Sequence, residues 1–535
     1  MWVLGINWEW HDSAAAIVDG DGRVWACAEE ERFTRVKHAW NTFPAQAAAH
    51  CLAAAGITWR DLDVIAVGWD LPRSFRWYYP ERDRERLFKD LFGPEVSERH
   101  GPEIVFVEHH IAHALSAFHS SGFEDAGVLV IDGSGELYST SIFVAKRATG
   151  LSPIRHWPRG FSLGAVYEAA TRVLGMGELD AGKTMGLASY GNTGDSAVLP
   201  LGDLISEGRP FFDVHDATRY RTIVEMWMNH LTERFGVITT PAEQLDQDPV
   251  AVRLATSAQR TIEDAVRKLH AETACLTGSS QICLAGGVAL NSVANGRLPE
   301  PIYVPPFSHD AGVALGAAWS VCPPTRQHLL ESPYMGVDLQ VGTELDDLRN
   351  GNFHISDYSP DAVLELLLND KIGGIAEGRA EIGPRALGHR SIVGFPRDVN
   401  CRMRINALKA REMWRPLAPV SLPDYAPLLW PSQGLRELYM VGNAVVSSHG
   451  QSVMPAAVHV DGTTRPQVLY ANAAPILESL LMNLHANGLP PVLINTSFNS
   501  RGEPIVNSAA DAICSFRDLG LDFLILGDQL VQPIS

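Results

Sequence analysis

The apolar positions of this chain come in short runs separated by polar loops. Near the N-terminus "WVLGIN" gives way to "WEWHDS", then to "AAAIV", a tight "DGDG" turn and "RVWACAEEE". Val and Ile runs bounded by Gly and Asp predict strand, loop, strand, turn, strand. The pattern returns in "AGVLVIDGSGELYSTSIFVAKRATG", where an apolar run meets "DGSG" and alternating residues follow. Two such units predict a duplicated α/β domain of the actin and sugar-kinase pattern, in which paired strand–loop–hairpin units grip a nucleotide.

Farther along, the spacing becomes helical. "VRLATSAQRTIEDAVRKLHAET" places apolar residues on one helix face. Strands "QICLAGGVAL" and "PIYVPPF" and helix "DAGVALGAAWSV" come next. The stretch from about Asp195 to Asp248 is less patterned, with a helix around "VEMWMNHLTERFG", and is expected to be an insertion that shapes a binding pocket. Pro and Gly breakers in "CPPTRQHLLESPYMG" predict a linker. After about Asp357 a helix "PDAVLELLLNDK", a strand "IGGIAEGR" and a long α/β stretch predict a second domain. The expected division is residues 1–340 and 350–535.

Composition narrows the class. At 535 residues, 46% hydrophobic and 20% charged, the chain is globular and too long for one core. A net charge of −19 without a long basic run argues against nucleic acid as a partner. Seven scattered cysteines without a CxxC pair suggest neither a disulfide framework nor a cysteine zinc site. The segment "MWVLGINWEWHDS" has no basic region leading into a long apolar one, and no apolar stretch is long enough to span a bilayer. A cytoplasmic protein with no membrane partner is expected. Its oligomeric state is not legible.

Three constellations carry chemistry. In "VFVEHHIAHALSAF", His109 and His113 are four apart in a helical pattern, so they share a face and can reach one ion. Asp132, ending strand "VLVID", and Asp310, opening the apolar helix, can add carboxylates. Two imidazoles and two hard oxygens suit iron(II), manganese or zinc. Gly-rich stretches "DGSGE", "AGKTMGLASYG" and "AGGVALN" lean towards phosphate binding, because glycine lets backbone N–H groups approach oxygens. In the second domain Arg379, Arg385, Arg390, Lys409, Arg411 and Arg415 form a cationic set within an acidic protein. Guanidinium forks hold small, doubly charged anions well, and Asn495, Ser497 and Asn499 can add neutral donors.

These segments together resemble the antibiotic O-carbamoyltransferases, the family of the nodulation and cephem carbamoyltransferases, among them the tobramycin O-carbamoyltransferase type. The resemblance runs through "WHDSAAA", "AEEERFTRVKH", "VGWDLP", "HHIAHA", "DGSGE", "GKTMGLA", "GGVALN", "GPRALGHRSI" and "NTSFNSRGEPIV", in order along nearly the whole chain. It implies an actin-like N-terminal domain resembling the tRNA threonylcarbamoyl transferase, fused to a YrdC-like C-terminal domain. It also implies a relay. Carbamoyl phosphate is cleaved in the C-terminal domain, and the carbamate passes internally to the other domain. There ATP, with Mg(2+), converts it to carbamoyl adenylate, and an acceptor hydroxyl takes the carbamoyl group. Carbamate is short-lived in water, so an enclosed path prevents its loss.

By the same resemblance, Arg385, Lys409, Arg415, Asn495 and Ser497, with Arg390 as an addition, would hold carbamoyl phosphate. His109, His113, Asp132 and Asp310 would bind Fe(2+) or a similar ion against the nucleotide phosphate. Backbone groups of Gly133, Ser134, Gly135 and Glu136, and of Gly286, Gly287, Val288 and Asn291, would position the adenylate. His11 stands where the family has its candidate general base, a role that suits imidazole near neutral pH. Lys37 matches a lysine near the transferred group, where a cation would stabilise charge on the carbamoyl oxygen. The loop "NWEW" is shorter than in the tobramycin enzyme. Trp8 and Trp10 there favour an apolar acceptor such as a macrolide, whereas the acidic surface would suit an aminosugar. Alternatives are an ATP-binding subunit of a tRNA-modifying assembly and a sugar kinase. A metallopeptidase is disfavoured, because no Glu stands between the histidines as in HExxH.

Overall fold

The computed structural model describes the chain apart from residues 9, 72–79, 95, 97–100, 192–198, 200, 213, 215–218, 326–331, 350, 432–433 and 535. Two units form. The first is Met1–Glu30 with His38–Glu331, and the second is Glu31–Lys37 with Ser332–Ser535. Among the described residues no helix is long and apolar enough to cross a membrane.

The first unit begins with β1 (Val3–Asn7), β2 (Ala14–Val18), β3 (Val24–Glu29), β4 (Val64–Val67) and β5 (Glu103–Phe106), in the order β3-β2-β1-β4-β5. β1 to β3 are antiparallel, while β4 and β5 run parallel to β1. A second sheet holds β6 (Asp125–Ile131), β7 (Tyr138–Lys146), β8 (Gly150–Pro158), β9 (Ile282–Ala285) and β10 (Ile302–Tyr303), in the order β10-β9-β6-β7-β8. Here too the hairpin strands are antiparallel and the last two strands parallel to the first. Read from the hairpin side, both sheets have the order 3-2-1-4-5. That is the expected actin-like duplication. β1, β2 and β4 are buried at every residue, as strands covered on both faces must be.

One helix, Ala311–Val321, is packed backbone against backbone on two sides. A Cβ on Gly5 of β1 would lie 1.9 Å from the Ala314 carbonyl oxygen, and one on Gly316 would lie 1.8 Å from that of Ala112. Ala112 belongs to the helix His109–Ser120. The run "AGVALGAAW" is therefore small because its neighbours leave no space, and this contact sets Asp310, its N-cap residue, against the histidine helix.

One expectation is corrected. "AGKTMGLASYG" is not a loop: Ala181–Ala188 is helical, with Thr184, Gly186, Leu187 and Ala188 buried. In the stretch from about Asp195 to Asp248, the helix expected around "VEMWMNHLTERFG" is present. Helix Tyr220–Phe235 buries Ile223, Val224, Trp227 and Leu231 at helical spacing, and Phe211 packs on Trp227 at 4.6 Å. Residues 326–331 of the expected linker lie outside the described residues.

The second unit is built on β11 (Phe353–Asp357), β12 (Gly373–Ala376), β13 (Arg390–Gly394), β14 (Ala418–Ser421), β15 (Ala444–Val445), β16 (Thr463–Thr464), β17 (Gln467–Val468), β18 (Val492–Ser497), β19 (Phe523–Leu526) and β20 (Gln529–Pro533). Eight of them form one mixed sheet in the order β11-β20-β19-β12-β13-β18-β14-β17. Alternate residues of β19 serve opposite faces: Phe523 and Ile525 join Leu477 and Leu493 in one core, and Leu524 and Leu526 join Phe498 and Phe516 in the other. This is the separate α/β domain that the YrdC-like reading expected.

Gly316→Ala should destabilise the protein by about 1–3 kcal/mol or more, because rigid backbone rather than a side chain must give way. Thermal unfolding is the check. Gly182→Ala, with open space around its Cβ position, is the control that should leave the melting temperature nearly unchanged.

Candidate metal, transfer and anion sites

Helix His109–Ser120 is held at its first turn by a side chain. The Glu136 carboxylate accepts the amide of His109 at 3.0 and 3.1 Å and that of Asp70 at 2.8 Å. A carboxylate at a helix N-terminus meets unpaired amides and the positive end of the helix dipole. His109 Nδ1 lies 3.2 Å from the Gly68 carbonyl, which it can only meet as a donor, and Trp69 stacks on the ring at 3.9 Å. That fixes the ring with Nε2 facing inward.

Around Nε2 gather Asp132 Oδ2 at 3.5 Å, Asp310 Oδ1 at 3.6 Å and His113 Nε2 at 3.2 Å, with His113 Nε2 3.4 Å from Asp310 Oδ1. One donor atom from each residue lies within 4.8 Å of all the others, and all four residues are buried. Asp310 makes no capping bond to its own helix, so its carboxylate is left for the cluster. Burial pushes the His109 ring towards neutral, but Asp310 and Asp132 outweigh it and hold it well above its ordinary value. Burial likewise pushes both carboxylates up, and the histidines hold them below the usual range. Two imidazole nitrogens facing each other and two carboxylates need a positive charge between them. The donor set fits a divalent cation. His110 is turned away to Ser141 Oγ at 2.7 Å, and burial pushes it down to about 3.

The two glycine loops flank this cluster. Gly286 (φ 89°) has no room for a Cβ, which would meet the Ile131 carbonyl oxygen at 2.3 Å. The Gly287 amide donates to Asp132 Oδ1 at 2.9 Å. Several groups assigned to a nucleotide are used within the fold instead. The amide of Gly135 goes to Tyr138, and that of Gly286 to Ser308. The Asn291 side chain exchanges hydrogen bonds with Gln259 and caps the following turn. The Ser134 hydroxyl turns to the Gly135 carbonyl. Val288 lies in a short 3-10 turn, Gly287–Leu290.

His11 places Nδ1 3.0 Å from Asp12 Oδ2. Burial lowers its proton affinity, but the hydrogen bond and charge of Asp12, with the charges of Asp310 and Asp132, raise it to about 9. These acids thus hold a proton on His11 more firmly than a free imidazole would. Lys37 belongs to the second unit, within electrostatic reach of Lys409, and not to the unit that carries His11. Trp8 packs on Phe43 at 4.7 Å, while Trp10 is exposed.

In the second unit Arg385, Lys409, Arg411, Arg415 and Arg465 converge. Burial, then Arg415, lowers Arg385 to about 10 and Arg411 to about 9. Arg465 is held well below its ordinary value by burial and by Arg385, Arg411 and Arg415. Lys409 is depressed by burial and by Arg411, Arg415 and Lys37. Glu412, 3.6 Å from Arg415, is the acid seen among these groups. Nε of Arg385 and of Arg465 are buried without a hydrogen-bond partner. Asn495 Nδ2 faces two acceptors, Ala386 O at 3.2 Å and Gln467 Oε1 at 2.7 Å, so its Oδ1, buried and unpartnered, is a vacant acceptor. Lys409 Nζ is engaged with Ser497 and Asn499, and the Ser497 hydroxyl with Asn499 Oδ1 at 2.6 Å.

Arg390 is corrected. It is fully buried, and its five N–H groups all meet carbonyls: those of Asn507, Glu377, His389, Val337 and Gly378. No donor is left for a ligand. Arg379 likewise binds the carbonyls of Gly336 and Met335. Arg465 was missed by the sequence reading. It stands alone beside Pro466, and only the pairing of β17 with β14 brings its turn to the other cations.

The sequence matches the family model described as carbamoyltransferase N-terminus over residues 2–87 and 89–319, and that of the carbamoyltransferase C-terminus over residues 364–533. It is 34% identical to nodulation protein NolNO of Sinorhizobium fredii, over 98% of this chain and 79% of that protein. It is 35% identical to nodulation protein NolO of Bradyrhizobium diazoefficiens, over 80% of this chain and 79% of that one. An uncharacterized protein of Synechocystis is 34% identical, over 98% of this chain and 95% of its own length.

A metal must displace the proton that the acids hold on His109. Affinity for iron(II) or zinc, measured by competition with a chelating dye, should therefore rise between pH 6 and 8, by up to about tenfold per unit. His113→Ala should weaken it by more than about a hundredfold, and Asp310→Asn, which keeps an oxygen ligand, by less. Unchanged affinity in His113→Ala would remove the metal site. For the metal-free protein the sign is the opposite. His109 and His11 are raised, so their contribution to stability is complete below about pH 6.5 and is lost as pH climbs through their folded values, for His11 about 9.

Proposed function

The chain belongs to the carbamoyltransferase family, and from that premise we propose that it is an ATP-dependent O-carbamoyltransferase using two sites. Carbamoyl phosphate binds in the second unit, where water hydrolyses its C–O–P linkage, one product keeping the bridging oxygen and the other gaining the water oxygen, to give phosphate and carbamate. A carbamate oxygen then attacks the α-phosphorus of ATP, held with Mg(2+), in the first unit. Pyrophosphate leaves and carbamoyl adenylate remains. The oxygen of an acceptor hydroxyl attacks the carbamoyl carbon, AMP departs with its bonding electrons, and the hydroxyl proton passes to His11. We take the acceptor to be a secondary metabolite of the antibiotic type.

The observation that carries this reading is the composition of the second site. Its clustered cations repel one another, and two buried guanidinium nitrogens there lack partners. A dianion would relieve both strains. Beside them Asn495 Oδ1 is a vacant acceptor, which suits an amide N–H and not a second phosphate oxygen. Carbamoyl phosphate offers both. Arg385, Arg415 and Arg465 would take the phosphate, with Lys409 and Ser497 ordering the loop beside it. In the first unit His109, His113, Asp132 and Asp310 would hold a divalent cation, Fe(2+) in this reading. Such an ion would supply positive charge for nucleotide phosphate, and would offset the part of the His11 shift that comes from Asp310 and Asp132. The exposed Trp10 and the segment from about Asp195 to Asp248 are our candidates for the acceptor surface.

Arg415→Ala should abolish turnover from carbamoyl phosphate and ATP, because losing one partner of a buried charged contact costs about 2–5 kcal/mol, or roughly thirty-fold to several-thousand-fold. Arg465→Ala should do the same. Both should still transfer from synthetic carbamoyl adenylate to a panel of candidate alcohols, read by mass spectrometry. His11→Ala should fail with either donor yet still release phosphate. If carbamoyl adenylate does not rescue Arg415→Ala, the two-site scheme is wrong. A gain of phosphate in place of carbamoyl would mark a kinase.

A further inference from the structure

Two loops of the first unit are stitched together beside His11. The Asp12 amide donates to the His38 carbonyl at 2.7 Å, the Asn41 amide to that of Trp10 at 3.0 Å, and the Ser13 hydroxyl to that of Thr42 at 2.6 Å. Within them Trp10, Asp12, His38, Ala39 and Asn41 all have φ between 40° and 64°, the left-handed region that L residues rarely adopt. Such strain persists where surrounding bonds over-determine it, and it gathers at functional sites. Its product here is one carboxylate between two imidazoles. Asp12 Oδ2 is 3.0 Å from His11 Nδ1, and Asp12 Oδ1 is 2.9 Å from His38 Nδ1. Both rings are partly open to solvent.

We propose that His38 is a positioning residue for His11: it holds the second oxygen of Asp12, fixing the carboxylate and dividing its charge between two imidazoles. This rests on the reading that His11 takes the acceptor proton. A carboxylate given wholly to His11 would lock that ring as an imidazolium, with no lone pair for a hydroxyl proton. Dividing the carboxylate loosens that hold while keeping Nδ1 fixed, so that Nε2 is the nitrogen that reacts. Among the other groups acting on this pair are Asp310 and Asp132, whose charges act on His11, and His309, which acts on Asp12 and itself meets Glu29 at 3.4 Å. The edge of Trp40 lies against His11, 5.4 Å between ring centres.

The test needs no acceptor. Diethyl pyrocarbonate acylates only an unprotonated imidazole nitrogen, so its rate at His11 reports how firmly the proton is held. The full-length protein, without added metal, is treated at pH 7, and His11 is followed by peptide mass spectrometry. In His38→Ala, His11 should react about three- to ten-fold more slowly, since one unit of proton affinity is tenfold. His38→Asn keeps a donor where Nδ1 stood and should stay within about twofold of wild type. Asp12→Asn removes the charge and should react faster. At pH 10 the variants should converge. A purely structural His38 would leave the rate unchanged, or raise it by loosening the loops. Either result in His38→Ala overturns the proposal, and so does a slower Asp12→Asn, which decides the matter if His38→Ala does not fold. If His11→Ala transfers carbamoyl normally while this ordering of rates holds, the base reading has failed and the positioning has not.

Discussion

The first unit depends on how closely one helix can approach its neighbours. Ala311–Val321 touches β1 through Gly5 and the histidine helix through its own Gly316, with carbonyl oxygens where side chains would otherwise be. Interiors are close-packed, so such contacts are set by backbone geometry and cannot slide. Asp310 is the residue before this helix, and His109 and His113 lie on the helix it touches. The ligand geometry is thus a by-product of packing: once the glycines meet, the carboxylate and the imidazoles must meet as well. Glu136 closes the arrangement by tying the loop after β6 to the first turn of the histidine helix.

The two units handle buried charge in opposite ways. In the first, Asp310 and Asp132 hold the proton on His109, and the histidines hold both carboxylates below the usual range. A cation entering there exchanges places with protons. In the second, cations are gathered with little opposing charge, and each depresses the others. An anion bound there, as proposed, would add charge of the opposite sign without displacing a proton. The first arrangement couples binding to pH, and the second couples it to ionic strength.

Much of this was legible in the chain. The duplication could be read because each half repeats an apolar run, an Asp–Gly turn and a hairpin. His109 and His113 could be read because helical spacing is local, and Asp132 and Asp310 because each sits where an apolar element ends or begins. What stayed hidden depends on neighbours distant in sequence. The glycines of "AGKTMGLASYG" suggested a loop, yet Thr184 meets Thr171 at 2.8 Å and Leu187 is buried, and tertiary packing overrides propensity there. Arg390 and Arg465 look alike in sequence, but one donates all five N–H groups to backbone carbonyls and the other is held among cations. No spacing rule separates them. Asp12 in a left-handed turn, shared by two histidines, gave no sign in the order of residues.

The short segment Glu31–Lys37 also bears on how such a protein can be built and rebuilt. It is drawn from the N-terminal half but counts with the second unit. There Arg32 binds the carbonyl of Gly383, and Arg35 those of Pro504 and Ile505. The chain therefore passes between units after Glu30, after Lys37 and after Glu331. A single cut at the last point does not yield two whole modules, because the C-terminal piece would lack its two arginine staples. Recombination between relatives at the linker would have to preserve the match between this segment and the carbonyls it grips.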